Sequence, residues 1–104
     1  MANKEHLAIL EGGVDSWNKW RLANAEVRPI LSRTRLKDGD FRGIDFRNTD
    51  LTDTDLSDAD LRESDLRGVL LSNADLTNAN LRGSNLNNTI LVNTKLHNAD
   101  ISES

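Results

Sequence analysis

The sequence predicts an all-β solenoid closed at its N-terminal end by an α-helical cap. Two observations carry this prediction: a large apolar residue at every fifth position from Leu31 to Ile101, and a helical apolar periodicity in the residues before it. A period of five rotates neighbouring apolar residues by about 500° in an α-helix and places them on opposite faces of a strand. They can share one core only if the chain bends once per pentapeptide, which is a solenoid.

The chain is expected to form one structural domain with two parts. Residues 1–28 are predicted to form the helical cap and its linker, and residues 29–104 the solenoid. Asn3 is a suitable N-cap for helical structure over residues 3–23.

Two glycines and an apolar stripe indicate how the N-terminal segment is built. Gly12 and Gly13 predict a kink, or two short helices of which the second is capped by Asp15 or Ser16. The stripe, with Trp20 beside it, consists of Leu7, Leu10, Val14 and Trp17. We expect it to cover the first coil, whose apolar side chains and unpaired backbone would otherwise be bare. A ligand-binding cluster of the two tryptophans is the alternative.

The positions of each pentapeptide have distinct roles. We name the large apolar residue the centre, the residue two before it the inner position, the residue one before it the preceding position, and the residue two after it the corner. Inner positions are small, because a narrow core accepts one large and one small side chain per segment. Corners favour Asn, Gly and Asp, which tolerate left-handed backbone. The exceptions are Pro29, Ile44 and Val69 at inner positions, and Arg33, Glu63 and Glu103 at corners.

Phe41 and Phe46 are the bulkiest centres and stand one repeat apart. Gly39, the inner residue before Phe41, can make room for its ring, whereas Ile44, the inner residue before Phe46, cannot. We therefore expect a local bulge or a widened coil near residues 44–46.

The segment Asn-Ala-Asp-Leu-Thr-Asn-Ala-Asn-Leu-Arg (residues 73–82) resembles the motif of the pentapeptide-repeat protein family. The resemblance covers residues 29–104, and the N-terminal segment is similar to the helices of short cyanobacterial members. It implies a right-handed quadrilateral β-helix of just under four coils, with four pentapeptides per coil. Residues twenty apart would then stack on one of four walls.

The centres sort into these walls as follows: the first holds Leu31, Leu51, Leu71 and Leu91, the second Leu36, Leu56, Leu76 and Leu96, the third Phe41, Leu61, Leu81 and Ile101, and the fourth Phe46, Leu66 and Leu86. The first wall differs from the others, because it has apolar residues at preceding positions. Together with one residue that follows a centre, they form a predicted contact surface, the apolar patch, of Ile30, Leu70, Ile90 and Val92. The alternative is that Ile30 lies under the N-terminal segment and that β-branched residues simply suit the backbone.

The other walls are charged. Arg42, Arg62 and Arg82 form a column on the third wall beside acidic residues, which predicts a solvated, mutually neutralised face rather than an anion-binding ladder. Asp55 and Asp75 lie on the second wall, where a flat surface does not supply the converging oxygens that Ca²⁺ requires. We therefore expect no metal site and no other cofactor.

The far end of the stack is expected to expose a second surface. The last coil should present Leu86, Leu91, Leu96 and Ile101 with unpaired backbone. Three outcomes are open: a continuing chain covers this end, two copies associate, or nearby carboxylates repel partners. A homodimer, formed through this end or through the Leu70 and Ile90 face, is the preferred hypothesis.

Composition limits the function. The 104 residues contain no cysteine, have a net charge of −4, and include no catalytic constellation, no apolar run of membrane-spanning length and no signal-peptide pattern. We expect a cytoplasmic, non-catalytic interaction or scaffold module with an unidentified protein partner, and no membrane or nucleic-acid partner. The alternative that the resemblance implies is a DNA mimic that inhibits or protects an enzyme such as gyrase. The arginine columns and the small net charge argue against mimicry.

Overall fold

The computed structural model describes residues 1–104 and shows two helices followed by a stack of coils. The helices are α1 (Lys4–Glu11) and α2 (Val14–Ala23). Asn3 caps α1, because its side-chain oxygen accepts hydrogen bonds from two N–H groups of the first turn, at 2.9 and 3.1 Å. Neither helix has the length and apolar character needed to cross a membrane.

The start of α2 corrects one expectation. Neither Asp15 nor Ser16 caps this helix; its N-cap is Gly13, which has a φ of 103° and makes no side-chain bond. Glycine adopts this backbone conformation without steric cost, so α2 starts directly after the glycine pair. Asp15 consequently lies in the first turn, where its charge is favourable to the helix dipole.

The solenoid is built from single bridges, not from strands. Eleven parallel β-bridges join residues at preceding positions that are twenty apart, from Ile30–Asp50 to Asn80–Asp100. One coil is therefore four pentapeptides. The all-β prediction is confirmed only in part, because the coils are joined by β-bridges and contain no strand. A turn follows each bridge residue too soon for a second consecutive bridge to form.

The corners explain why the walls are so short. All fifteen corner residues have a positive φ, between 57° and 72°, including Arg33, Glu63 and Glu103. In every turn from that of Leu36 onward, the N–H three residues after a centre donates to the carbonyl of that centre, as from Ile44 to Phe41 at 3.1 Å. This combination is typical of a type II turn, and it bends the chain at a period of five.

The coils are held together by a regular backbone ladder. In the interior, the N–H groups of the centre and the corner donate to carbonyls of the next coil along the chain, which we call the coil above. The N–H of the preceding position donates to a carbonyl of the previous coil, the coil below. Leu56 shows the pattern, since its N–H donates to Asp75 at 2.8 Å, while the N–H of Asp55 donates to Thr34 at 3.0 Å. Each interior repeat thus makes three bonds between coils and one within its turn.

The core is a column of centres with small residues between them. Interior centres such as Leu51 and Leu66 are at most 1% exposed. Phe41 is accommodated at Gly39, where an added Cβ would lie 2.2 Å from the phenyl ring. The predicted bulge at residues 44–46 is wrong, because the ladder runs through them unbroken, with the Phe46 N–H donating to Asp65 at 2.9 Å.

The helices lie over the first coil. Leu10 and Trp17 are buried, and Leu7, Val14 and Trp20 are partly buried against the same core. The Trp17 ring meets Phe46 edge-on, with centroids 5.6 Å apart. The Phe46 ring thus packs against α2 at the helical end of the core, where there is no further coil to limit its size.

Polar side chains of the helical segment also bind the backbone of the first coil. Trp17 donates its indole N–H to the carbonyl of Asp45 at 2.7 Å, and the Asn18 side-chain oxygen accepts from the N–H of Asp45 at 2.8 Å. Arg21 is fully buried and donates to the carbonyl of Arg47 at 3.1 Å. These bonds take the place of the coil that would otherwise pair with this wall.

Candidate interaction surfaces

The Asp and Asn side chains at preceding positions accept hydrogen bonds from the backbone of the turn that follows them. Where the preceding position is Asp or Asn, its side-chain oxygen accepts the N–H two residues later; the bond from Ser57 to Asp55 measures 3.0 Å and that from Asn87 to Asn85 is also 3.0 Å. This Asx contact satisfies the one N–H per repeat that neither the ladder nor the turn uses. This role was not predicted from the sequence, although Asp or Asn recurs at most preceding positions and is a usable signal.

Most arginines of the third and fourth walls are paired. Arg62 forms two bonds with Asp60, the shorter at 2.6 Å, and Arg67 binds Asp65 in the same way. The hydrogen bonds from Arg62 hold the pKa of Asp60 below its ordinary value. Each fork joins residues two apart, so the column is a row of local ion pairs, which leaves little uncompensated charge to imitate DNA.

The carboxylates of the second wall do not converge. Asp55 accepts from Ser57, Asp75 accepts from Thr77, and Asp58 pairs with Lys37 at 2.9 Å. No group of three His, Cys, Asp or Glu side chains in the structure is arranged to hold a metal ion. The two histidines are not near each other, since His6 is buried on α1 at the helical end and His97 is exposed on the last coil.

The members of the apolar patch are not all neighbours. Leu70 and Ile90 form a backbone bridge. Leu70 is half-buried, Ile90 is 42% exposed and Val92 is 59% exposed. Ile30 is separated from them by Asp50 and lies beside the helical segment, where its N–H donates to His6. The structure therefore brings together three of the four residues.

The last coil leaves its centres open. Leu91, Leu96 and Ile101 are 39%, 37% and 52% exposed, whereas the centres beneath them are almost completely buried. Leu86 is half-buried. The N–H groups of these four centres have no partner in the structure.

The patch and the open end meet at residues 90–92. We call the joint surface the C-terminal apolar surface; it consists of Ile90, Leu91, Val92, Leu96 and Ile101. The whole chain has eight exposed large hydrophobic side chains, and these five all lie between residues 90 and 101. Contiguous apolar exposure of this kind marks contact surfaces.

Comparisons with known proteins agree on one family. The profile of the pentapeptide repeats matches residues 30–68 and 70–104 with eight copies. The chain is similar to a pentapeptide repeat protein from Nostoc PCC 7120, with 31% identity over 83% of this chain and 73% of the other, at a TM-score of 0.45.

Two further solved structures are similar. The pentapeptide repeat protein Rfr23 from the cyanobacterium Cyanothece 51142 has 34% identity over 70% of this chain and 56% of its own, at a TM-score of 0.39. A pentapeptide repeat protein from the Arabidopsis thaliana thylakoid lumen has 32% identity over 70% of this chain and 51% of its own, at a TM-score of 0.34. The chain thus spans only about half the length of these two relatives. A search of curated proteins found no match.

Proposed function

The chain belongs to the pentapeptide-repeat family, whose known structures are right-handed quadrilateral β-helices, and we propose that it is a non-catalytic protein-interaction module. Members of the family are generally non-enzymatic structural or interaction modules. The geometry supports this reading, because the core is filled by centres and inner residues and the wall carboxylates are engaged by their own turns. The exposed end of the last coil offers an apolar surface for recognition.

The C-terminal apolar surface is the observation that carries the proposal. Its five large side chains lie beside backbone groups that the interior of the solenoid always pairs. Both the hydrophobic effect and the ladder therefore favour covering this surface. We take the partner to be a second copy of this chain.

The backbone pattern at this surface is complementary to itself. On the wall of Ile90, the Leu91 N–H and the Thr89 carbonyl are both unpaired, and they flank Ile90. In an antiparallel pair, residues that face each other without direct bonds are flanked by reciprocal N–H to carbonyl bonds. A wall from a second copy, related by a twofold axis, offers the same donor and acceptor in the reverse order.

Sedimentation velocity at several concentrations tests this proposal. Self-association that increases with concentration is expected for the natural sequence and is lost in Ile90→Asp and Ile101→Asp, because each places a charge at the contact. The matched control is Leu22→Asp, since Leu22 is 80% exposed on α2 and lies outside the surface. Monomeric behaviour at every concentration, or association unaffected by the two surface variants, would remove the proposal.

A further inference from the structure

The helical cap covers only half of the first coil. On the first wall, Ile30 donates its N–H to His6 and accepts from the Asn3 N–H, at 3.0 and 2.9 Å. On the fourth wall, Trp17 and Asn18 bind both backbone groups of Asp45. These two walls are closed at the helical end.

The second and third walls are open at the same end. The N–H and carbonyl groups of Arg35 and Asp40, and the carbonyls of Lys37 and Arg42, have no partner in the structure. In the coils above, the equivalent groups are paired; the N–H of Asp55 donates to Thr34 at 3.0 Å. Six backbone groups along residues 35–42 therefore form a bare β-edge.

A groove with an apolar floor runs beside this edge. It has a volume of about 310 Å³ and lies between α1 and the first coil, with Leu7, Leu10, Leu36 and Phe41 among its lining residues. The floor is the portion of the core end that the helices leave uncovered. An added segment could bury a leucine side chain there while pairing with the edge.

The rim of the groove is basic in an acidic protein. The whole chain carries a net charge of −4, yet the groove and the adjoining depression are lined by Lys4, Arg33, Arg35 and Lys37 against a single acidic residue, Glu11. Arg33 and Lys37 have acidic partners on the next coil, at 3.7 and 2.9 Å, whereas Lys4 and Arg35 form no ion pair. This charge selects an acidic occupant.

We propose that the open edge of the second and third walls binds an acidic, leucine-containing peptide segment of a partner protein by parallel strand addition. The bound segment places a carbonyl on the Arg35 N–H, and the N–H two residues later donates to the Arg35 carbonyl. The same pair of bonds recurs five residues later at Asp40. The preferred segment therefore has two leucines five residues apart, one stacked on Leu36 and the other on Phe41. This goes beyond the proposed self-association, since it assigns a second kind of partner at the opposite end of the stack.

The test uses a labelled synthetic peptide, TDTDLSDADLRE, which has the sequence of residues 52–63 and therefore the required spacing and charge. Fluorescence anisotropy with the full chain should give saturable binding with a dissociation constant below about 1 mM. Arg35→Glu should weaken binding by about tenfold or more, because it reverses the charge at the edge. The matched control is Lys95→Glu, which changes the same wall at the opposite end of the stack.

Two peptide variants separate strand addition from simple charge attraction. N-methylation of both leucines removes the N–H donors but keeps the side chains, and should abolish binding; replacement of the acidic residues by amides should weaken it. Failure to bind, equal binding by the N-methylated peptide, or equal loss with Arg35→Glu and Lys95→Glu would each overturn the proposal. Because Ile90→Asp should leave peptide binding unchanged and Arg35→Glu should leave sedimentation unchanged, this proposal and the proposed self-association fail separately.

Discussion

Two serine hydroxyls are buried in the core without a hydrogen-bond partner. Ser64 and Ser84 occupy inner positions on the fourth wall, and each is 2% exposed. Thr54, at an equivalent position on the second wall, instead donates its hydroxyl to the carbonyl of Leu51 at 2.7 Å. The same inner position therefore holds both satisfied and unsatisfied polar groups.

This contrast predicts opposite responses to removing a hydroxyl. Ser64→Ala should raise the free energy of unfolding by about 1 kcal/mol, because it relieves an unmet desolvation cost. Thr54→Val should lower it by about 1 kcal/mol, because it removes a bond and keeps the volume. Urea denaturation measures both. Similar losses in the two variants would show that the Ser64 hydroxyl is satisfied.

His6 makes the stability of the cap depend on pH. Its Nδ1 accepts the N–H of Ile30 at 3.0 Å, so the imidazole must be neutral. Burial lowers the pKa of His6 below its ordinary value of 6.5, and the nearby Arg21 adds to this effect against the opposing charge of Glu5. Below pH 6.5 the unfolded chain thus binds more protons than the folded one.

The free energy of unfolding should consequently be constant above about pH 7 and fall as the pH decreases through 6.5 toward the folded pKa of His6. His6→Gln keeps an acceptor that does not titrate, so its unfolding free energy should be flat in this window. The wall aspartates have lowered pKa values and lose their contribution only near and below 3.8. Thermal melts of both proteins between pH 5 and 7.5 would decide, and a parallel decline in the two would contradict the role of His6.

Corner residues show what a local pattern can predict. Left-handed backbone was expected from Asn, Gly and Asp, and it occurs at every corner. Arg33 and Glu63 adopt it as well, although nothing in their chemistry favours it, because the neighbouring coils impose the turn. Periodicity therefore identifies such positions better than residue type does.

At the scale of the turn, the Asx contact should matter more than the charge that makes it. Asp55 accepts from the N–H and the hydroxyl of Ser57, at 3.0 and 2.6 Å, and lies next to Asp75 on the following coil. Asp55→Asn retains an acceptor and should change the free energy of unfolding by less than about 0.5 kcal/mol. Asp55→Ala leaves the N–H unmet and should cost about 1 kcal/mol. Equal urea midpoints for the two variants would refute the capping role.

The apolar contacts of the helical cap could be predicted from the sequence, but its polar contacts could not. The apolar stripe predicted which side chains face the first coil, and the structure packs Leu10 and Trp17 there. The bonds of Asn18, His6 and Arg21 to the coil backbone could not be predicted, because they depend on how the helices are placed across the first coil. The unpaired backbone of the second and third walls at the helical end follows from the same placement, and no periodicity in the sequence predicts it.

For the whole molecule, stacking makes stability depend on position. Leu61→Ala should cost about 2–5 kcal/mol, because this centre is 1% exposed with coils on both sides. Leu96→Ala should cost less, because Leu96 is 37% exposed on the last coil. Denaturant unfolding of the two variants compares them. Equal losses would contradict a one-dimensional stack in which each coil contacts only its neighbours.

The number of coils and the four walls followed from the resemblance to known repeats, since a period of five requires a bend but leaves the number of sides open. The twenty-residue spacing of the bridges supplies that number directly. The exposed ends were predictable, because a stack must have two of them. Which surface residues meet was not, as Ile30 shows, since Asp50 separates it from Leu70.

Amide hydrogen exchange at low and high protein concentration tests the central claim most directly. The N–H groups of Leu71 and Leu76 are paired with the coil above and should be protected at every concentration. Those of Leu91 and Leu96 are unpaired in the single chain and should exchange rapidly when dilute, then become protected as two copies associate. Exchange at Leu91 and Leu96 that stays rapid at high concentration would contradict an interaction module that works through its C-terminal apolar surface.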